Sequence, residues 1–196
     1  MTLKVILGAQ SGGFFLPMRA AQRDNKNIIV VGANALMFDI KYGSYPFVTF
    51  SDTTIGGIIG GLCLNPASIT ETIGVLKCYT TRAVRHLQNR GYCTSNFYSL
   101  NLTKLDDLDT FETIKIAIAY KVDGEELDHY PADLDLLERA EVVYHEMPGW
   151  QKPTTGAKTF YDLPKQAIEY VEYIEKFVGV KWIGTGPGRE AMITRA

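Results

Sequence analysis

The sequence predicts an α/β fold, and three observations carry that expectation. Apolar β-branched runs end in glycine at intervals along the chain, Ile28-Ile29-Val30-Val31 before Gly32 being the clearest. Segments with helical spacing lie between such runs, most plainly from Leu163 to Phe177. One stretch, Ile114 to Val122, alternates and then meets Asp123-Gly124, the residue pair that favours a two-residue hairpin turn. Alternating strands and helices imply a mostly parallel central sheet with flanking helices. The hairpin is expected as a satellite of it.

Taken in order, Leu3 to Leu7 is a short buried strand running into the glycine-rich turn Gly8 to Gly13. Phe14 to Lys26 has no clean period, and Pro17 interrupts it. The run Ile28 to Val31 reads as a fully buried strand, because it lacks the alternation of a half-exposed one. Tyr42 to Gly61 is rich in Gly, Ser and Thr and carries Tyr, Phe and Ile as well, so an ordered loop is expected there. Gly74 to Arg82 suggests a further strand, and Arg85 to Gly91 a polar turn of helix or loop.

The second half is clearer. After the hairpin, Asp133 to Arg139 is a short helix, and Glu141 to His145 a strand ending at Met147-Pro148-Gly149-Trp150. Asp162 is placed to cap a helix from Leu163 to Phe177. Its expected apolar face is Ile168, Val171, Ile174, Phe177 and Val178, and Gly179 stops it. Val180 to Ile183 is a last strand, running into Gly184-Thr185-Gly186-Pro187-Gly188-Arg189.

Composition excludes several classes. The 196 residues are 46% hydrophobic and 21% charged, the balance of a folded globular domain. Twenty Lys and Arg against 22 Asp and Glu leave a formal charge of −2, with no electrostatic footprint for nucleic acid or anionic lipid. No apolar run has the ~20 residues of a membrane helix, and the N-terminus shows no secretory h-region. Cys63, Cys78 and Cys93 are evenly spaced, without the close pairs of a zinc site. Reduced thiols in a cytoplasmic protein are expected. His86, His129 and His145 have no spacing partners and read as surface or structural residues. Glu125-Glu126 and Asp133/Asp135 read as solvated faces, and no residue set is assigned to a metal.

Three segments carry chemistry. In Thr103-Lys104-Leu105-Asp106 the carboxylate can accept from both guanine N1–H and the exocyclic N2 amine, a pairing that adenine lacks. The aliphatic stem of Lys104 can lie along the base. The same residues also suit a charged strand end with a helix cap. Gly184 to Arg189 offers backbone for close approach to a ring or phosphate, or a plain loop. Gly32-Ala33-Asn34-Ala35 and Ser51 to Gly57 set hydroxyls and glycine amides after a strand, where they can hold phosphate or simply turn the chain.

Jointly these segments resemble adenylosuccinate synthetase. The resemblance rests on VILGAQSG, IIVVGANALMFDIKYGSYPFVTFSDTTIGG, IGVLKCYTTR, LTKLDDLDTFETIKIAIAYKVDGEELDHYPA, VVYHEMPGW and VKWIGTGPGRE, in the family's order. It implies a single domain with a reduced version of the family fold. Residues 1–13 are the remnant of the N-terminal strand and phosphate loop, 27–82 the IMP-site segment and 100–196 the guanine-site segment. The family joins IMP to aspartate with GTP and Mg²⁺ on the way to AMP. By resemblance Lys104, Leu105, Asp106, Gly184, Thr185, Gly186 and Pro187 bind GTP. Asn34 and Thr54 then contact IMP, Thr54 at its phosphate. The resemblance also implies a homodimer.

The departures bear on activity. The family loop GAQWGDEGKGK is replaced by Gly8-Ala9-Gln10-Ser11-Gly12-Gly13-Phe14-Phe15, so Gly13 stands at the catalytic Asp position and no catalytic residue is assigned. The segment carrying the family's catalytic His is absent, as is the arginine-rich aspartate loop. Phosphoryl transfer needs cationic groups, metal and a base around the phosphates. Impaired catalysis with loss of the Mg²⁺ site is therefore expected, along with exposed apolar surface where covering elements are missing. Three readings stay open: a catalytically impaired synthetase, a pseudoenzyme that binds guanine nucleotide or an intact synthetase subunit, and a mis-spliced product with no stable fold.

Overall fold

The computed structural model describes residues 3–6, 15–32, 38–41, 43, 45–79, 99–127, 133–178, 183–184 and 192–193. It divides into two compact units, Met1–Thr70 and Glu71–Ala196. The expected elements at Gly8–Gly13, Arg85–Gly91 and Gly179–Trp182 lie outside the described residues.

In the first unit, β1 (Leu3–Ile6) pairs in parallel with β2 (Ile28–Val31). A parallel pair needs a crossover, and it contains α1 (Phe15–Arg23), where no helical period was evident. Pro17 lies in the first turn of α1, where a missing N–H removes no intrahelical bond. Met18 and Leu62 are buried, with Ile28, Val30, Ile58 and Leu64 against them. The expectation that β2 is fully buried is not met, for Ile29 and Val31 are about half exposed. Only the Ile28 and Val30 face is covered among the described residues.

The expected loop from Tyr42 to Gly61 also needs correcting at its end. Residues Ile55–Leu62 form α2, despite four glycines in eight positions. Thr54 sits in extended conformation and its hydroxyl accepts from the Gly57 amide, a side-chain cap that offsets the weak propensity of glycine.

The second unit holds two sheets. β3 (Ile73–Lys77), β4 (Ser99–Thr103) and β8 (Ile183–Gly184) run parallel, and β9 (Met192–Ile193) closes the order β3-β4-β8-β9 antiparallel to β8. β5 (Thr113–Val122) lies between β6 (Glu125–Glu126) and β7 (Glu141–Pro148) in an antiparallel sheet. The turn is as expected: Asp123 and Gly124 both have positive φ, at 53° and 90°, which matches the twist of the flanking strands. Glu125 and Glu126 are exposed. α3 (Leu134–Arg139) is capped by Asp133, which accepts from the amides of Asp135 and Leu136.

α4 (Lys165–Val178) closes the core. Its buried stripe is Ala167, Tyr170, Val171 and Ile174, with Ile168 only partly buried. The apolar face is therefore turned toward Tyr170 relative to the expected one. The Tyr170 hydroxyl donates to the Cys78 carbonyl at 2.8 Å, which satisfies the one polar atom on that face. Asp162 does not cap α4. Its carboxylate reaches back to the amides of Lys158 and Thr159 at 3.1 and 2.8 Å, making a capping box with Thr159 on the preceding 3-10 turn.

A partly buried carboxylate orders the loop before α4. Asp109 accepts from Trp150 Nε1 at 2.7 Å, from the Thr154 amide at 2.8 Å and from the Thr154 hydroxyl at 2.9 Å. Gly149 lies so close to Phe111 that a Cβ would sit 1.8 Å from its carbonyl oxygen. His145 stacks on Tyr173 with ring centroids 4.4 Å apart, a structural role as expected. His86 and His129 lie outside the described residues.

Candidate functional site

Three parallel strands of the second unit end together. The last register pair of β3 and β4 is Lys77 with Thr103, and the Cys78 amide extends it by donating to the Thr103 carbonyl at 2.9 Å. Leu102 pairs with Ile183, which brings Gly184 of β8 level with Thr103. The carboxyl ends of parallel strands are where α/β sheets bind ligands. Tyr79, Lys104 to Asp107 and the backbone of Gly184 therefore meet at one sheet edge.

Lys104 turns the chain there. It adopts φ 64° and ψ 39°, the left-handed region, at the head of a 3-10 turn over Leu105–Leu108. This conformation is uncommon for a residue with a Cβ and is held by its surroundings. Leu105 on one side is completely buried in the core, so its side chain is committed to packing. On the other side the Lys104 ammonium bonds Asp107 at 3.1 Å and lies 5.9 Å from the centre of the Tyr79 ring.

The charges follow from this arrangement. Asp107 is held below the usual carboxylate range, first by a hydrogen bond from the Tyr79 hydroxyl and then by Lys104. Tyr79 is raised by the same bond to Asp107, and Lys104 is raised by its own bond to Asp107. Beneath them the Cys78 thiol is pushed far up by burial and then by the charges of Asp106 and Asp107. It is an unreactive core residue.

Asp106 is different. Its Oδ1 is buried with no hydrogen-bond partner among the described residues. A buried carboxylate oxygen without a donor is costly. An oxygen of this kind can accept from an N–H donor.

A second cluster lies in the first unit. The Asp39 carboxylate is fully buried and accepts from the amides of Lys41, Thr53 and Thr54. It fixes the loop that delivers Thr54 to the start of α2. The loop packs tightly, since a Cβ on Gly57 would lie 2.2 Å from that of Asp52. Thr54 uses its oxygen to accept from Gly57 and keeps its O–H to donate. Asp39 was not singled out in the sequence. A lone acid between Phe38 and Ile40 was its only signal.

Of the expected guanine contacts, Lys104, Leu105, Asp106 and Gly184 share the strand-end edge, whereas Thr185, Gly186 and Pro187 lie outside the described residues. Thr54 belongs to the other unit, and Asn34 and Gly13 lie outside the described residues. Cys63 and Cys78 are free thiols, and Cys93 is not among the described residues. Among the described residues no group of three or more His, Cys, Asp or Glu side chains could hold a metal ion. No helix among them is long and apolar enough to cross a membrane.

A family model described as adenylosuccinate synthetase matches residues 14–86 and 85–193. The adenylosuccinate synthetase of Fusarium vanettenii is 63% identical to 91% of the chain, and that of Neurospora crassa 50% identical over the same share. These matches cover 53% and 51% of the relatives, so the chain spans about half their length. The Fusarium alignment runs over 217 positions, more than the chain's own 196 residues, so the relative carries residues inside the matched span that this chain lacks. A solved structure of fully ligated adenylosuccinate synthetase from Plasmodium falciparum superposes with a TM-score of 0.83 at 30% identity, over 92% of this chain and 53% of that one.

Proposed function

The chain belongs to the adenylosuccinate synthetase family, and from that premise we propose that it retains the guanine-reading half of the nucleotide site and has lost the phosphoryl-transfer half. The family reaction is a GTP- and Mg²⁺-dependent ligation of IMP and aspartate in purine biosynthesis. The observation that carries the retained half is Asp106. Its buried, unpartnered Oδ1 lies at a strand end beside Lys104 and Gly184. Guanine N1–H and N2 amine are donors of the kind that this oxygen lacks. Lys104 offers its stem to the base plane, and the backbone at Gly184 lets a ring approach closely.

The lost half rests on the sequence. Gly13 carries no carboxylate for Mg²⁺ or for proton abstraction, and the lysine of the family loop has no counterpart here. A site lacking several members of one catalytic unit keeps little of its rate. Thr54, at the mouth of α2, keeps a hydroxyl proton to offer the phosphate of IMP. Mg²⁺, when bound with GTP, would neutralise phosphate charge, and at the family's metal-ligand position Gly13 offers it no carboxylate. On this reading the chain is a cytoplasmic nucleotide-binding pseudoenzyme.

A second reading, association with an intact synthetase subunit, is favoured by one observation. Ile73 and Val75 are 51% and 71% exposed on β3, the outer strand of its sheet. Capture of this chain by a full-length synthetase in a pull-down, lost in Val75→Lys, supports it.

The primary test is calorimetry of GDP with the purified chain, circular dichroism confirming the fold. Binding abolished by Asp106→Ala is the expected result. A folded chain that binds no GDP would overturn the proposal.

A further inference from the structure

We propose that Tyr79 is a positioning residue of the guanine half-site: it clamps Lys104 onto Asp107 and so keeps the Asp106 carboxylate open for the base. The inference rests on the guanine reading of Asp106 given above.

Two adjacent carboxylates, Asp106 and Asp107, follow one lysine. Lys104 therefore has two carboxylates within three residues as candidates for its charge. Pairing with Asp106 would fill the oxygen that the base needs. In the structure the ammonium pairs with Asp107 at 3.1 Å, and Asp106 Oδ1 has no partner among the described residues. Tyr79 accounts for the choice in two ways. Its ring, packed against the core on one side, has its centre 5.9 Å from the ammonium, where the ring quadrupole attracts a cation. Its hydroxyl is the largest influence holding Asp107 below the usual carboxylate range, which favours the charged form of that carboxylate. The ring and the hydroxyl of one residue thus hold both partners of the ion pair.

The pair itself is half exposed, with 47% and 38% of its side chains accessible. Such a pair is weak on its own, so a neighbour that touches both members decides its geometry. Tyr79 reaches them because the Cys78 amide adds one more bond to the β3–β4 ladder and carries the chain to the level of Lys104.

The test compares GDP with IDP, whose base lacks the N2 amine. In the wild-type chain GDP is expected to bind about tenfold tighter, the worth of one charge-assisted hydrogen bond to Asp106. In Tyr79→Ala the ammonium is released to Asp106, and the GDP preference collapses toward unity. Asp107→Asn, at an exposed turn position, is expected to collapse it as well. Adding Lys104→Met to Tyr79→Ala removes the competing cation, keeps an apolar stem and restores the preference. A folded Tyr79→Ala or Asp107→Asn with the wild-type GDP-to-IDP ratio overturns the inference, as does equal weakening of both nucleotides. Loss of GDP binding by the wild-type chain overturns the guanine reading as well, and so tells the two failures apart.

Discussion

Gly149 is the position where a single atom decides most. Its amide donates to the Glu112 carbonyl at 2.8 Å, and its α-carbon lies against Phe111 with no room for a methyl group. Any side chain there must push apart two segments that Asp109 ties together through Trp150 and Thr154. Gly149→Ala is expected to cost about 2 kcal/mol, the scale of overpacking in a rigid site. A lower urea midpoint at unchanged slope would show it, and an unchanged midpoint would contradict the close approach. In the sequence this glycine stood only as part of a strand-ending MPGW. The neighbour that makes glycine necessary is 38 positions earlier in the chain, at Phe111.

At the scale of elements, the capping box at Thr159 and Asp162 gives the protein an acid-sensitive joint just before α4. Two backbone amides donate to the Asp162 carboxylate and hold its pKa below the usual 3.8. A depressed carboxylate contributes stability above its unfolded pKa, and that contribution is lost as the pH falls through the folded value. The stability of the wild-type chain should therefore decline below about pH 4. Asp162→Asn should be less stable at neutral pH and decline less steeply in acid, as thermal melts from pH 6 to pH 3 would record. Parallel acid limbs in the two proteins would dismiss the joint.

The elements also show where sequence patterns serve and where they fail. The hairpin at Asp123-Gly124, α3 behind Asp133 and the parallel β2 were legible because each depends on local chemistry: positive φ, an extended cap, a β-branched run. α1 and α2 were not. Pro17 looked like a breaker because its place in the first turn was not visible, and the glycines of α2 hid a helix that Thr54 and Asp39 start from outside it. The site divided in the same way. Lys104 and Asp106 stood out through the chemistry of guanine recognition. Tyr79 and Asp39 act through partners brought by the sheet and the loop, which no spacing rule reports.

Across the whole molecule, the larger unit is built around buried groups that must remain neutral. Burial raises both the Tyr170 hydroxyl and the Cys78 thiol well above their ordinary values of 10.0 and 9.0. A group raised in the folded state contributes its full stability below the unfolded pKa and loses it as the pH rises, because the unfolded chain ionises first. Stability should fall steadily above about pH 9. Cys78→Ala should flatten the first part of that decline, and Tyr170→Phe the part that follows near pH 10. Denaturant titrations across pH 8 to 10.5 measure the slopes directly. Identical slopes for wild type and both variants would mean that other groups set the alkaline limit.

The pairing of Leu102 with Ile183 joins strands separated by the hairpin, α3 and α4. Contacts this distant along a chain form late, after local structure has brought their ends within reach. A nascent chain that has not yet reached residue 183 can already hold Tyr79, Lys104 and Asp106 just past the ends of β3 and β4, but the third side of the edge does not exist. Competence to bind a base is then the last property the protein acquires, and maturation of that edge serves as a clock for the completed fold.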